Sequence, residues 1–531
     1  MDNCDNCKQI AAEKDARIAE LEHRLMVSEK LNRFYEGQFR LTKHRQFGAS
    51  SEKRKLSEQL MLFDEAENTA DVSLAEPETE QITYRRRKRA GKREDDLSSL
   101  PVEIVEHKLA EEEKICPQCS GKLHEMGHDS RRELKIIPAK VRVVEHKRAV
   151  YSCRNCEKNS GAGVPIVKAQ MPEPLIKGSL ASPSAVAHIM AQKYVMSAPL
   201  YRQEQDFKRQ GVYLSRQTMA NWVIRCSEDW LAPVYERLKA QLLKREVLHA
   251  DETVLQVLRE PGKTAESDSY MWLYRTSGDT DRHIVIYEYK PSRAGCHPEN
   301  FLRDFKGKLH TDGYAVYHKL SEITVVGCWV HMRRKFTDAL KAIPAKERPG
   351  SSAQEAIEKI GYLFHLEDKW ENLTPYERYK RRLKESKPIA EKFFSWLEKL
   401  SILPKMPMGK AVNYALEQRK WLMNVYLDGR LEISNNRAEN AVRPFAIGRK
   451  NWLFCSTVKG ADASAIVYSI IETAKANGLK PFEYLQFLFE TVPNIKTSEI
   501  DLVLPWGGAV PIHCRMPINE EEKGNAEKEC A

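Results

Sequence analysis

The chain contains no run of about 18 apolar residues, so no membrane-spanning helix is expected. Its opening stretch, MDNCDNCKQIAAEKDARIAE, is charged and lacks the apolar centre of a secretory leader. A cytoplasmic location is expected. In that reducing setting the 12 cysteines point to metal ligands or free thiols rather than disulfides. A large excess of one charge is also missing. The formal net charge is +10, and its distribution says more than its size. The run YRRRKRAGKR (84–93) is concentrated base, and NEEEKGNAEKECA at the other end is rich in acid. At 531 residues the chain exceeds one ordinary core, and a 42% hydrophobic fraction with 9 tryptophans can build more than one.

Periodicity divides the chain. Ile18, Leu21 and Leu25 follow helical spacing, which Leu31, Phe34 and Leu41 continue less regularly. That stretch reads as a short coiled coil or as a helix packed on its own chain. Residues 64–100 show little periodicity and read as a disordered linker. Arg85, Arg86, Arg87 and Lys88 within it either contact phosphates or form a solvated face. CPQC (116–119) and CRNC (153–156) are separated by 33 residues, with strand-like alternation between them. Cys116, Cys119, Cys153 and Cys156 suit a tetrahedral structural Zn²⁺ site that would fold a module with little core of its own. The lone CDNC (4–7) has no second knuckle nearby and is unassigned.

Residues 178–240 read as three helices. One starts near Ser182, one ends at Gly211, and one is capped by Ser215. The spacing fits a helix-turn-helix or an ordinary bundle. In the former, Arg216, Gln217 and Asn221 face DNA, while Met219, Trp222 and Val223 face the core.

From residue 246 the pattern turns to strands. EVLHADETVLQVL, YMWLYRT (270–276) and RHIVIYEY (282–289) come in succession. A short helix around 298–304, strands in GKLHTDGY (307–314) and ITVVGCWVH (323–331), and a helix from 333 follow. Residues 352–427 are charged and helical, and interrupt the α/β unit. This order is that of a ribonuclease-H-like core with a helical insertion. In such a core the first strand is central, so Asp251 on it lies beside Asp312 at the end of the fourth strand. A third acid comes from a later helix. Glu439 in EISNNRAENAVRPF (432–445) is the best candidate, with Asn435 or Ser434 as cap and Pro444 limiting the helix. Asn436, Glu439 and Arg443 then share one face. Glu432 and Asp428 compete, but lie before the cap. Converging carboxylates without a basic partner call for divalent metals, and oxygen ligands suit Mg²⁺ or Mn²⁺. Strand alternation sends Glu252 to the face opposite Asp251, as an ion-pair or positioning residue.

HADET, HTDGYAVY, GCWVHMRRKF and NNRAENAVRPFAIGRKNWLF resemble the catalytic segments of insertion sequence 66 family transposases. QFGASSEK, the paired CxxC module and the three-helix stretch are similar to that family's N-terminal regions. ETAKANGLKPFEYLQFLFETVP (472–493) resembles its C-terminal segment. The resemblance implies a DDE transposase that binds the inverted repeats at its element's ends and joins them to target double-stranded DNA with Mg²⁺. It also implies the triad Asp251, Asp312 and Glu439, a homo-oligomeric synaptic complex, and accessory proteins from the same element. One departure is Asn440, where the family pattern carries arginine.

Arg333, Arg334, Lys335, Asn436, Arg443, Arg449 and Lys450 are candidate phosphate contacts. Cys328 and His331 form a CxxH unit with a structural or DNA-positioning role, or are simply core. Trp452 either stacks on an unpaired base or packs in the core. His249 either orients a metal ligand or is a satisfied core histidine.

The expected order is an N-terminal helix (8–56), a disordered basic linker (57–100), a zinc-binding module (101–172) and a helix-turn-helix domain (173–243). The first part of the core (244–345), the helical insertion (346–428), the segment carrying the third acid (429–475), a C-terminal segment (476–515) and a disordered tail (516–531) follow. A metal-dependent nuclease that cuts without joining, or a non-catalytic DNA-binding protein, are the alternatives to a transposase.

Overall fold

The computed structural model describes residues 141–152, 166–169, 171, 173–343, 345–402, 404 and 406–517. The expected N-terminal coiled coil, Arg85 to Lys88, and the cysteines 116, 119, 153 and 156 lie outside these residues. Strands β1 (Val150–Ser152) and β2 (Ile166–Lys168) form an antiparallel pair, the first strand ending at the residue before Cys153 in sequence.

Three helices follow. Ser182 caps α1 (Pro183–Tyr194), accepting from the Ala185 N–H at 3.2 Å, with Pro183 in the first turn. Helix α2 (Leu200–Arg209) ends at a turn in which Gly211 takes φ +81°, a conformation that disfavours a Cβ. Ser215 caps α3 (Arg216–Cys226), accepting from Thr218 N–H at 3.1 Å. Met219, Trp222 and Val223 are buried, and Arg216, Gln217 and Asn221 are exposed, as the helical period requires. Helix α4 (Ala232–Leu242) leads into the sheet.

Six strands form that sheet. β3 (Val247–Arg259) is central and long. It pairs antiparallel with β4 (Asp268–Thr276), which pairs antiparallel with β5 (Val285–Lys290). After the short helix α5 (Cys296–Phe301), β6 (Lys308–Thr311) joins the other side of β3 in parallel. β7 (Thr324–Gly327) joins β6 in parallel. The order is β5-β4-β3-β6-β7. Helix α6 (Trp329–Lys341) follows β7.

The interruption is helical: α7 (Ser352–Lys369), α8 (Pro375–Arg381), α9 (Lys387–Glu398) and α10 (Pro407–Leu422). The chain then returns through α11 (Asn436–Trp452), β8 (Cys455–Thr457), α12 (Val458–Ala476) and α13 (Pro481–Thr491). β8 pairs in parallel with the far end of β3. Pro444 does not limit α11, as the sequence suggested, but sits inside it. A proline removes one backbone donor and crowds the preceding turn. Buried Phe445 anchors this stretch, and the Tyr287 hydroxyl donates to the Ala441 carbonyl, so packing carries the helix through.

Two apolar cores result. The larger joins α1, α3, α4, the strands, α12 and α13, so the three-helix stretch shares a core with the sheet. The smaller joins α6 to the insertion through Trp329, Phe336, Ile360, Phe393 and Leu422. Buried Arg382 ties the insertion to the returning chain. Its Nε donates to Glu367 Oε1 at 2.8 Å, and its Nη groups donate to the carbonyls of Asp428 at 3.1 Å and Leu431 at 2.7 Å.

Candidate active site at the strand ends

The sheet register brings the aspartates together. His249 on β3 stands opposite His310 on β6. Asp251 and Asp312 each lie two residues further along, and a strand returns to the same face every two residues. The histidine rings stack with centroids 4.3 Å apart, fully buried beneath the acids. Burial pushes His249 down to about 3, against the raising effect of its hydrogen bond to Asn435, so its ring is neutral at pH 7. His310 is also held well below the usual range, first by burial and then by His249. The sequence reading missed His310. The signal was present in the repeated His-x-Asp of HAD (249–251) and HTD (310–312).

Among the described residues Asp251 makes no ion pair. Its carboxyl is pushed well above the usual carboxylate range by burial and by the charges of Glu252, Asp312 and Glu439, despite the N–H donated by Glu252 at 2.9 Å. Asp312 Oδ1 accepts from Tyr314 N–H at 2.9 Å, which shapes the turn after β6. Gly313 fits in that turn because a Cβ there would lie 2.3 Å from the Tyr414 hydroxyl of α10. A side of the site is thus formed by the insertion.

Glu252 is held apart in a clamp. Arg293 Nε donates to its Oε1 at 2.8 Å and the Tyr317 hydroxyl to its Oε2 at 2.7 Å. Its pKa is still raised, first by burial and then by Asp312, so strand alternation does not insulate it from the aspartate pair. Charges on neighbouring residues interact strongly where little water intervenes. Arg293 also lies over the Tyr314 ring at 3.8 Å, and its carbonyl accepts from the Tyr314 hydroxyl at 2.7 Å. Arg293, Tyr314 and Tyr317 therefore connect Glu252 to the turn that carries Asp312, and the sequence offered no spacing that showed it.

The three candidate third acids differ sharply. Asp428 pairs with Lys308 and Arg430, both at 2.8 Å. Burial raises its pKa, but these bonds outweigh it and hold the carboxyl well below its usual range. Glu432 pairs with Arg437 and accepts from Ser277 at 3.3 Å. Glu439, in the first turn of α11, lies close enough to Asp251 to raise its pKa. Its Oε1 is 3.6 Å from His331 Nδ1 and its Oε2 is 3.6 Å from Arg334. Asn435 fixes the start of this helix from below. Its Nδ2 donates to the Ala250 carbonyl at 2.9 Å, its Oδ1 meets His249 Nδ1 at 2.9 Å, and its N–H donates to Cys328 Sγ at 3.2 Å. Asn435 precedes the helix as expected, but its side chain bonds β3 and not the helix N–H groups.

The candidate phosphate contacts fall into separate groups. Arg334 and Lys335 are exposed on α6 near Glu439, with Lys335 5.3 Å above the Tyr414 ring. Arg333 is half-buried against Phe364. On α11, Asn436 and Lys450 are exposed and Arg443 is half-buried, while Arg449 donates to Thr253 Oγ1 at 3.1 Å. Arg216, Gln217 and Asn221 lie on α3, away from the strand ends in sequence and element. Trp452 is half-buried, packed edge-on against Phe445 at 5.4 Å.

The chain is also similar to known proteins. The family model described as Transposase IS66 family matches residues 178–463, more than half of the chain. The zinc-finger binding domain of transposase IS66 matches 113–157, which includes both CxxC pairs. The IS66 C-terminal element matches 469–506, and a model described as Transposase C of IS166 homeodomain matches 35–105, across the stretch read as a linker. Relatives occur in Sinorhizobium fredii. The uncharacterized protein y4jD is 30% identical, covering 74% of this chain and 78% of its own, and y4qI is 31% identical, covering 72% and 71%. A third, y4hP, is 29% identical, covering 76% and 74%.

The molecule is a multidomain DNA-binding transposase with a zinc-finger segment and a mixed α/β catalytic region. The chain belongs to the IS66 family of transposases. Among the described residues no helix is long and apolar enough to cross a membrane.

Proposed function

We propose that this transposase has a ribonuclease-H-like core and uses Asp251, Asp312 and Glu439 for metal-dependent cleavage at its element's ends and strand transfer into target double-stranded DNA. The observation that carries the proposal is the β3–β6 register, which ends at the His249–His310 pair two residues before Asp251 and Asp312, two acids close enough for one to raise the pKa of the other. The β5-β4-β3-β6-β7 order, with the first three strands antiparallel and the next two parallel, supports the fold assignment.

The donor set fits Mg²⁺ or Mn²⁺: the groups are all oxygen, and the mutual repulsion that raises Asp251 is what a divalent cation relieves. Asp251 and Asp312, joined by Glu439, would hold it. When bound, a pair of such ions stabilises the attacking and leaving oxygens of phosphoryl transfer. The protein's own residues do the rest. Arg293 and Tyr317 hold Glu252, and through Tyr314 hold the turn bearing Asp312. The His249–Asn435 bond fixes the entry of α11. Arg334, Lys335 and Asn436 flank this entry as phosphate contacts, Arg333, Arg443, Arg449 and Lys450 are further phosphate contacts along α6 and α11, and Arg216, Gln217 and Asn221 offer a separate DNA face. The cysteines 116, 119, 153 and 156 hold a structural Zn²⁺. The domain order proposed from the sequence stands as this reading's modular plan. A homo-oligomer pairs two element ends, with accessory proteins of the element as further partners.

The test is a cleavage and joining assay with the full chain, element-end DNA and Mg²⁺. Asp251→Asn and Asp312→Asn are each expected to lose on the order of 10³-fold in rate. Cleavage that survives either change overturns the assignment. Cleavage without joined product favours a nuclease.

A further inference from the structure

The CxxH unit gains a partner in the fold. Cys328 immediately precedes α6, His331 lies in its first turn, and Glu439 approaches from the first turn of α11. Their ligand atoms all lie within 4.8 Å of one another. Tetrahedral Zn²⁺, with bonds of about 2.3 Å to sulfur and about 2.0–2.1 Å to nitrogen or oxygen, separates its ligands by roughly 3.3–3.7 Å. Closing the set therefore requires side-chain shifts on the order of 1 Å.

Three observations point to a ligand. His331 Nδ1 and Glu439 Oε1 are buried and have no hydrogen-bond partner. The Cys328 sulfur receives the Asn435 N–H at 3.2 Å. Burial pushes its thiol up to about 11, which the backbone N–H groups of Asn435, His331 and Val330 only partly offset, so the sulfur gives up its proton in exchange for a cation and not unaided. Arg334 lies on Glu439 Oε2 and leaves Oε1 for a cation. Mixed sulfur, nitrogen and oxygen donors select a softer ion than the oxygen-only aspartates do.

We propose that Cys328, His331 and Glu439 bind one thiophilic divalent cation of the zinc class, and that this cation competes with the aspartate pair for Glu439. The competition rests on the proposed role of Glu439; the binding does not. The cation takes the place of the thiol proton, which leaves to solvent, and water fills the fourth position. A carboxylate held there is withdrawn from the strand ends, so zinc-class ions inhibit while Mg²⁺ supports the reaction. The sequence could not show this site, because His331 and its third ligand lie in separate helices.

The test uses the metal-stripped full chain titrated with Co²⁺, read by the visible bands of tetrahedral cobalt and by sulfur-to-cobalt charge transfer. The paired CxxC cysteines also take cobalt, so the difference between variants is the measurement. Wild type is expected to bind one equivalent more than Cys328→Ser or His331→Gln, with the charge transfer of a single sulfur in the difference. His331 is 23% exposed, which keeps the comparison decidable if the buried Cys328 variant does not fold. Equal stoichiometry overturns the site. In Mg²⁺-driven cleavage, Zn²⁺ is expected to inhibit wild type at least about tenfold more strongly than His331→Gln. Equal inhibition overturns the competition alone. Absence of cleavage by wild type overturns the competition with the reading it rests on, and leaves the cobalt difference standing.

Discussion

At the root of the insertion, Arg382 is 1% exposed and its guanidinium is met by Glu367 and the carbonyls of Asp428 and Leu431. Just past the last β3–β6 pair, Asp251 is half-buried, yet the charges acting on it are acids, and among the described residues neither it nor Asp312 makes an ion pair. Both regions place charge where water is scarce. One compensates it internally and serves as architecture. The other leaves it uncompensated, which is what the proposed divalent cation would relieve. The same contrast separates Asp428, matched by Lys308 and Arg430, from Glu439, whose two contacts at 3.6 Å are looser. Polar burial by itself does not mark a site; burial without a matching partner does.

Breaking the compensated region should have the largest effect on folding. Arg382→Leu leaves Glu367 facing a gap and should cost about 3–5 kcal/mol, measured by denaturant unfolding. A loss below about 1 kcal/mol would mean that solvent reaches Glu367 and that the two regions are less different than they look.

The opposite sign is expected at the strand ends. The folded pKa of Asp251 is raised, so its contribution to stability is full below about pH 4 and is lost as pH rises through the folded value. Near pH 7, above the unfolded value, this carboxyl therefore opposes folding. Asp251→Asn should then stabilise the metal-free protein by about 1 kcal/mol in thermal melting. Saturating Mg²⁺ should stabilise wild type more than the variant, closing that gap. A variant that melts below wild type in a chelator would contradict the contrast.

Glu252 tests the boundary between the regions, since it is clamped like Arg382 but adjoins Asp251. Glu252→Gln keeps the Tyr317 bond and loses the ion pair to Arg293. It should retain measurable cleavage, reduced about tenfold, with the metal requirement unchanged. Loss as complete as that of Asp251→Asn would place Glu252 among the metal-holding groups.

Much of the sheet was legible because its strands carry strong β-branched and aromatic runs. YMWLYRT falls within β4 as expected. The third strand was read as starting at residue 282 but begins at Val285. Asn477 takes the N–H and carbonyl of His283, and Thr276 Oγ1 takes the Ile284 N–H, so those backbone groups are used by side chains instead of a ladder. Pro444 misled for a similar reason: a local rule for helix ends yielded to packing around Phe445. Within the candidate site, residues adjacent in motif or strand register were readable. Arg293, Tyr317 and the Asn435 bonds to β3 join segments far apart in sequence, and no spacing encodes them.

Gly313 gives the insertion another meaning. Its missing Cβ admits the Tyr414 hydroxyl beside the turn that carries Asp312. The helices between α6 and α11 are therefore not cargo on a finished enzyme. They act as a gauge against which the turn is set. A side chain at position 313 would have to displace Tyr414, so the turn and α10 are set against each other across about one hundred residues of sequence.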